Sequence, residues 1–185
     1  MAPANLKAGS TLDNLLAAFG GESNANAKYL AFAAKADEEG YAGAASLFRA
    51  AARAEEIHAA RHAVEIKKLG GEPHCEIAPP PPGTTAENLA AAIAGETYER
   101  DVMYPAFIEV AKSEGRPGAE KACAYALAAE AEHAKLYGEA LANLDSWREP
   151  RTFYVCPVCG YTTEHPDFDD CPVCRAARAK FEGVG

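Results

Sequence analysis

The chain has 185 residues, and its hydrophobic content of 49% is sufficient for a buried core. With 27 acidic residues against 18 lysines and arginines, its net charge of -9 argues against the basic surface that nucleic acid or an anionic membrane requires. The first residues lack the pattern of a secretory signal, and no later run reaches the roughly 18 apolar residues needed to cross a bilayer, so we expect a soluble cytoplasmic protein.

The first part of the chain contains the patterns of two long helices. Ser10 and Asp13 resemble a capping box, and apolar residues at helical spacing follow, which predicts a first helix over about 11–38. A second helical pattern begins after Gly40 and continues to about Leu69, where two glycines end it. Because the break between the helices is short, we expect an antiparallel hairpin.

A proline-rich connection separates this hairpin from a second one. Residues 72–83 contain four consecutive prolines and cannot continue a helix. A capping box at Thr84 predicts a third helix to about Glu114, and Pro117 lies near the start of a fourth helix that ends at about Leu144. Four long helices with one long central connection indicate a mainly α fold, the ferritin-like four-helix bundle.

The two hairpins repeat one chemical pattern. Each has a glutamate that follows a glycine and precedes, by 33 or 34 residues, a Glu-x-x-His motif. The repeated residues are Glu22, Glu55 and His58 in the first hairpin, and Glu96, Glu130 and His133 in the second. The repeat differs at one place, because Glu99 occupies the position that corresponds to Ala25. The second hairpin therefore offers an extra carboxylate on the same helix face.

The repeated residues are those of a two-metal site. Residues three apart on a helix share a face, so each Glu-x-x-His motif can present a carboxylate and an imidazole to one point. Carboxylates can bridge two hard cations while each imidazole binds one of them, which favours iron or manganese and leaves zinc, or an iron and zinc pair, open. One such motif is usually a solvated helix face, but two copies reverse that expectation, since burying these carboxylates without cations would be costly.

Four further residues lie close to this pattern. Tyr29 and Tyr104 follow the upstream glutamates by seven and eight residues and fall on or near the ligand face. There a phenol can hydrogen-bond a metal-binding carboxylate. An aromatic residue that simply packs in the core explains the same spacing equally well. Glu56 and Glu132 lie about 100° and 200° around their helices from the motif glutamates, so we expect them to be solvated or to support the ligands from outside.

The composition changes after Leu144, where aromatic residues, glycine, proline and cysteine become frequent. This tail is too short for a conventional core and needs a staple such as a metal ion. Two Cys-x-x-Cys pairs can place four thiolates around one tetrahedral ion, for which iron and zinc have comparable weight. These thiolates belong to Cys156, Cys159, Cys171 and Cys174. We interpret Cys75 and Cys123 as ordinary thiols.

With these motifs in view, the chain resembles the rubrerythrins, in which a ferritin-like diiron domain precedes a rubredoxin-like domain. The matching stretches are GESNANAKY, ARAEEIHAARH, AGETYERDVMYP, AAEAEHAKLY and YVCPVCGY with the later CPVC. The resemblance covers nearly all of the chain after about residue 10, and it implies a diiron bundle over 1–147 and a small metal-stapled domain of strands and loops over 148–185. The implied diiron ligands are Glu22, Glu55, His58, Glu96, Glu99, Glu130 and His133, and the four tail cysteines would hold a single iron.

The resemblance also implies an activity. It is that of a peroxidase that protects against oxidative stress by reducing hydrogen peroxide to water, with Glu55 and Glu130 bridging the two irons. Electrons from NADH would arrive through a donor protein, rubredoxin or a reductase, and pass through the cysteine-bound iron. Glu99 and His58 would be alternative ligands of one iron, for its oxidised and its reduced state respectively. An iron-oxidising storage protein and a pure electron carrier are the alternative functions.

Two further expectations come from this resemblance. Family members are dimers or larger assemblies, in which the rubredoxin-like iron of one subunit lies near the diiron pair of another, so we expect a homodimer or a higher homo-oligomer. Arg175 departs from the family pattern, since rubredoxins usually have glycine after the last cysteine ligand. If this position adopts a positive φ, arginine costs about 1 kcal/mol without preventing ligation by the cysteines.

Overall fold

The computed structural model describes residues 9–185 of the chain. The expectations about a secretory signal and about the start of the first domain involve residues 1–8, which lie outside this range. Within the described range, long helices form a bundle, and a small three-stranded sheet follows it in the chain. None of the described helices has the length and apolar character needed to span a membrane.

The first hairpin consists of α1, Thr11–Glu38, and α2, Ala42–Lys68. Ser10 and Asp13 form both hydrogen bonds of the predicted capping box, which fixes the start of α1. In the turn between the helices Gly40 adopts a φ of 78°, a conformation that glycine reaches without the steric cost of a Cβ. The helical hairpin predicted for this part of the chain is confirmed.

The proline-rich connection after α2 is extended and lies along α1. Asn24 holds it there, because its side-chain amide donates to the Glu76 carbonyl and its oxygen accepts from the Ala78 amide, both at 2.9 Å. The connection leads into the second hairpin at Thr84, whose side chain forms the predicted capping box with Glu87. The crossover is thus tied to the bundle rather than free in solution.

The second hairpin departs from the prediction in one respect. Instead of one helix to about Glu114, the structure has α3, Thr85–Tyr98, a π-helical turn, Glu99–Met103, and α4, Tyr104–Ser113. A π turn holds one residue more than an α turn, and such turns are frequent at functional sites. Helix α5, Pro117–Ala142, then packs against α3 and α4 to complete the bundle.

Two apolar clusters of buried side chains lie within the bundle. One contains Phe48 and Tyr137 and extends to Phe153 of the tail, whereas the other is formed around Leu15 and Phe107. Alanine is frequent in both, particularly along α2, and its small side chain lets the helices approach closely. Fully buried glutamates and histidines are present beside these apolar clusters, which is where the chemistry of the molecule is expected.

The tail forms an antiparallel sheet in the order β2, β1, β3. Its strands are β1, Phe153–Val155, β2, Thr162–Thr163, and β3, Glu182–Val184. The sheet packs on α2, where Arg53 forms two hydrogen bonds to Glu182, at 2.8 and 3.1 Å. Arg175 has a φ of 65°, so it carries the backbone strain that the sequence predicts.

Candidate metal centre

The buried glutamates and histidines of the bundle form two overlapping groups of four residues. In each group one oxygen or nitrogen atom per residue lies within 4.8 Å of the others. The first group is Glu22, Glu55, His58 and Glu130, and the second is Glu55, Glu96, Glu130 and His133. Glu55 and Glu130 belong to both groups, so their carboxylates lie where a bridge between two cations would have to be. The sequence repeat therefore brings six residues from four helices to one place.

Both imidazoles face the carboxylates with the same nitrogen. His58 Nδ1 lies 2.9 Å from Glu55 Oε2 and 3.0 Å from Glu130 Oε1. His133 Nδ1 lies 2.8 Å from Glu130 Oε2 and 3.6 Å from Glu55 Oε1. The two rings are 6.4 Å apart between centroids. Each ring thus offers Nδ1 to one of two adjacent positions.

The hydrogen bonding of the cluster is incomplete in a way that fits metal binding. Although several of its atoms lie close together, six buried atoms have no partner in hydrogen-bonding geometry among the described residues: Glu22 Oε2, Glu55 Oε1, Glu96 Oε2, Glu130 Oε1, Glu130 Oε2 and His133 Nδ1. Buried polar atoms rarely lack partners, and unpaired buried carboxylates are costly. Two divalent cations would satisfy these atoms, and a donor set of carboxylate oxygens with one imidazole for each cation suits iron.

The electrostatics of the cluster point in the same direction. Burial, reinforced by the neighbouring carboxylates, raises the pKa of Glu22 well above its usual range and that of Glu96 to about 8. Burial lowers the pKa of His58 and His133, but the surrounding carboxylates outweigh it and raise both pKa values well above the usual range. The crowded carboxylates therefore hold protons on one another and on the histidines, and two bound cations would take the place of those protons.

Tyr29 and Tyr104 both contact the cluster, each from the opposite hairpin. The Tyr29 hydroxyl, on α1, donates to Glu96 Oε1, on α3. The Tyr104 hydroxyl, at the start of α4, donates to Glu22 Oε1, on α1. Both tyrosines are buried. Glu22 and Glu96 are therefore each oriented by a phenol that belongs to the other copy of the repeat.

Sequence reasoning missed His62, which lies directly behind Tyr104. The imidazole is fully buried, and its Nε2 lies 3.1 Å from the Tyr104 hydroxyl oxygen. Burial, together with the positive charges of His58 and Arg61, lowers the pKa of His62 to about 3, so the ring is neutral at neutral pH. The sequence does contain a sign of this role: His62 follows Glu55 by seven residues, and that spacing places both side chains on the same face of the helix.

Glu99 lies beside the cluster and outside both groups of four. It is the first residue of the π turn, and its Oε1 would be 4.0 Å from a Cβ placed on Gly21. Burial, followed by the negative charges of Glu22 and Glu96, raises the pKa of Glu99 well above its usual range. The structure therefore shows His58 within the cluster and the Glu99 carboxylate next to it.

Three residues that were not expected to bind the bundle metals, two glutamates and a cysteine, lie outside the cluster. Glu56 pairs with Arg53 at 2.8 Å, and Glu132 pairs with Lys135 at 2.9 Å. Cys123 is a buried thiol whose pKa is raised to about 12 by burial and by the negative charge of Glu22. None of these three residues belongs to either group of four ligand atoms among the described residues.

The four tail cysteines form a second compact group, again with one atom each within 4.8 Å of the others. Cys156 Sγ lies 3.5 Å from Cys174 Sγ, and Cys159 Sγ lies 3.6 Å from Cys171 Sγ. A tetrahedral ion with metal–sulfur bonds of ~2.3 Å would separate its sulfurs by about 3.8 Å. The thiols are therefore arranged for a single tetrahedral ion.

The tail contacts the bundle at the two histidines. His58 Nε2 donates to the Cys159 carbonyl at 3.0 Å, and His133 Nε2 lies 3.1 Å from the Thr162 hydroxyl. A Cβ on Gly160 would be 2.2 Å from His58 Nε2, so this approach requires glycine. Within this chain the tail therefore lies directly against both histidines of the cluster.

Both parts of the chain match known protein families. Residues 13–141 match the family model described as rubrerythrin, and residues 154–182 match the model of the rubrerythrin rubredoxin-like domain. Among curated relatives, nigerythrin of Nitratidesulfovibrio vulgaris is 40% identical over 94% of this chain and 86% of its own length. Rubrerythrin-2 of Clostridium acetobutylicum is 36% identical over 96% of this chain and 98% of its own length.

Solved structures show the same likeness. The fully reduced, all-ferrous state of nigerythrin superposes with a TM-score of 0.91 and 38% identity, covering 99% of this chain and 91% of that one. A bacterioferritin from Desulfovibrio desulfuricans superposes with a TM-score of 0.68 at 21% identity, covering 75% of this chain and 82% of that one. The second likeness shows the shared ferritin-like fold alone.

Proposed function

The chain belongs to the rubrerythrin family, and on that premise we propose that this oxidoreductase reduces hydrogen peroxide to water. The bundle holds a diiron site and the four cysteines form a rubredoxin-like iron site. The observation that carries the proposal is the hydrogen bond from His58 Nε2 to the Cys159 carbonyl, since it joins a residue of the bundle site to a residue of the cysteine site. A site for two-electron chemistry and a site for one-electron transfer are thus in contact.

The proposed ligands are the residues that converge in the structure. Glu55 and Glu130 would bridge the two positions, Glu22 and Glu96 would be terminal ligands, and Nδ1 of each histidine would complete one position. When bound, the two ferrous ions supply the two electrons that break the O–O bond, and two protons complete the formation of two waters from one peroxide. The task of the protein is to hold the ligands in a buried cluster that excludes bulk water.

Glu99 and His58 have complementary roles in this proposal. His58 is neutral as a ligand and suits the reduced state, whereas the charged carboxylate of Glu99 suits the more positive oxidised state. The nearness of Glu99 to the Glu22 side supports this assignment, because the charge of Glu22 contributes most to its raised pKa after burial. The half of the site that contains His58 would therefore respond to oxidation, and the half that contains His133 would stay fixed.

Electrons would return through the tail. One peptide carbonyl and one hydrogen bond lie between Cys159 and the imidazole of His58. We assign the relay to this contact, with an external protein such as rubredoxin or an NADH-linked reductase as donor and defence against oxidative stress as the role. We also propose that the chain forms a homodimer or a larger homo-oligomer in solution, which sedimentation would measure.

The test is a stopped-flow experiment on the full chain, reduced and containing three irons. Peroxide should oxidise the reduced diiron site faster than dioxygen does, and the thiolate-to-iron absorption of the tail should follow. Oxidation by peroxide no faster than by dioxygen would overturn the proposal. Iron uptake far beyond three ions per chain would point to storage, and a diiron site that peroxide leaves unchanged would point to electron transfer alone. Zinc in the tail would remove the relay.

A further inference from the structure

Hydrogen bonds connect the two imidazoles of the bundle centre, one directly and one through a side chain, to successive carbonyls at the end of the first cysteine pair. His58 reaches the Cys159 carbonyl directly, at 3.0 Å between Nε2 and the oxygen. His133 reaches the next carbonyl through a side chain, because its Nε2 lies 3.1 Å from Thr162 Oγ1, and Thr162 Oγ1 lies 3.0 Å from the Gly160 carbonyl oxygen. The second of these connections depends on one hydroxyl group.

The direction of this hydrogen-bonded chain follows from its end. A carbonyl oxygen can only accept, so the single proton of the Thr162 hydroxyl is donated to Gly160. Thr162 Oγ1 must then accept from His133, which places a proton on Nε2 of the imidazole. With Nε2 protonated in this way, Nδ1 is the nitrogen that can exchange its proton for a cation, and it faces Glu130 and Glu55, where a metal ligand is needed.

Burial makes the hydroxyl hard to replace. Thr162 and His133 are both fully buried, with exposed fractions of 0%. Thr162 is fixed by strand pairing with Val155, and its strand β2 packs on α5, which carries His133. Without the hydroxyl, the N–H of His133 would lose the only acceptor that the described residues give it, in a place that water does not reach.

We propose that Thr162 is a positioning residue for the metal position formed by Glu96 and His133. It locks the tautomer and the ring orientation of His133, so metal affinity at that position depends on the tail being docked against the bundle. This inference rests on the proposed diiron site and not on the reaction with peroxide. Partners of this kind around metal-bound histidines change affinity by about 10- to 100-fold.

The experiment compares three variants of the full chain with the tail iron in place. Thr162→Val keeps the shape and removes the acceptor, and Thr162→Ser keeps the hydroxyl. Thr163→Val is the matched control, because its hydroxyl bonds the His165 carbonyl at the exposed side of the same strand. Anaerobic titration with Fe²⁺ against a competing chelator should show one bundle ion bound normally in Thr162→Val and the second bound about 10- to 100-fold more weakly. The other two variants should bind as wild type.

A second measurement does not depend on how well Thr162→Val folds. In the zinc-loaded, ¹⁵N-labelled wild-type chain, the proton on His133 Nε2 should exchange slowly with water, as it should in Thr162→Ser. Fast exchange in the wild type would overturn the inference. So would Thr162→Val with two normal Fe²⁺ affinities, or Thr162→Ser weakened as much as Thr162→Val. Since neither measurement uses peroxide, a failure of the peroxidase proposal would leave the result standing.

Discussion

The two halves of the bundle centre have the same ligands but different surroundings. In each half a histidine, a terminal glutamate and a tyrosine from the other hairpin occupy corresponding positions. Behind the tyrosines the halves diverge. His62 is hydrogen-bonded to Tyr104, whereas the corresponding residue Tyr137 packs beside Tyr29 with ring centroids 5.6 Å apart. Glu99 then adds a carboxylate near Glu22. The repeat brings the same residue types to both halves, and differences at single positions around them make one half chemically distinct.

The π turn explains how the extra carboxylate is accommodated. Seven residues of α-helix return to within about 20° of the starting direction, whereas eight overshoot by about 80°. Tyr104 follows Glu96 by eight residues and still reaches the cluster, because the intervening π turn absorbs the additional residue. Glu99 opens that turn. The additional residue and the additional acid are therefore parts of one local change in the second hairpin.

The largest effect is expected where the halves share a ligand. Glu130→Ala removes a carboxylate that belongs to both groups, so both irons should be lost, with affinities reduced roughly 100-fold or more. Glu132→Ala is the control, because that residue lies on the same helix and pairs with Lys135 at the surface. Metal analysis after gel filtration measures the outcome. Two irons retained in Glu130→Ala would show that the halves do not depend on a common bridge.

Glu99→Ala tests the difference between the halves directly. The variant should keep two irons, since Glu99 lies outside both groups of four, but peroxide turnover should fall by about tenfold, equivalent to ~1.4 kcal/mol in the barrier. Steady-state turnover and iron content would be measured together, with Glu56→Ala as the surface control. Unchanged turnover would remove the special role of Glu99 and make the two halves equivalent in function.

The tyrosines provide a smaller test in the zinc-loaded chain. Tyr29→Phe removes the donor to Glu96, whereas Tyr104→Phe removes both the donor to Glu22 and the hydrogen-bond partner of His62. A buried group left unpaired lowers the free energy of unfolding by ~1–3 kcal/mol, so Tyr104→Phe should be the more harmful change.

Denaturant unfolding measures this difference between the two tyrosines. Tyr154→Phe serves as a control because Tyr154 lies in β1, away from the cluster. An equal or larger loss for Tyr29→Phe would contradict the asymmetry.

Much of this architecture could be predicted because its signals are local in the sequence. Capping boxes fixed the starts of α1 and α3, and the doubled Glu-x-x-His spacing indicated a common site for residues up to 111 positions apart, from Glu22 to His133. The two Cys-x-x-Cys pairs indicated a four-thiolate group in the same way. The spacing of apolar residues and of ligands follows directly from helix and loop geometry, so both patterns can be recognised in the sequence before the fold is known.

The remaining features depend on contacts that no local pattern contains. The π turn at Glu99 results from one additional residue in the helix. A single inserted residue changes the spacing of the apolar residues too little for their periodicity to predict it. His62 has the spacing of an ordinary core residue, and only its contact with Tyr104 gives it a role. Thr162 lies 29 positions after His133 in another element, so their hydrogen bond follows from how the tail docks on the bundle. Tertiary placement, rather than composition, made these residues part of the site.

The last and smallest expected effect is a pH dependence confined to one half. The pKa of His62 is about 3 in the folded chain, because of burial and the charges of His58 and Arg61, against about 6.5 when unfolded. Below pH 6.5 the imidazole of His62 therefore binds a proton in the unfolded chain but not in the folded chain. The free energy of unfolding falls as the pH decreases.

His62→Phe removes this proton, so between pH 7 and pH 5.5 the variant should gain about 1 kcal/mol relative to wild type. Tyr137→Phe, at the corresponding position of the other half, should follow the wild-type pH dependence. Denaturant unfolding of the metal-free chains at each pH measures both differences, because the charge of His58 that lowers the His62 pKa belongs to the chain without metal. Parallel curves for wild type and His62→Phe would mean that His62 has the same pKa in the folded and the unfolded chain, and the Glu22 half would then carry a buried positive charge below about pH 6.5.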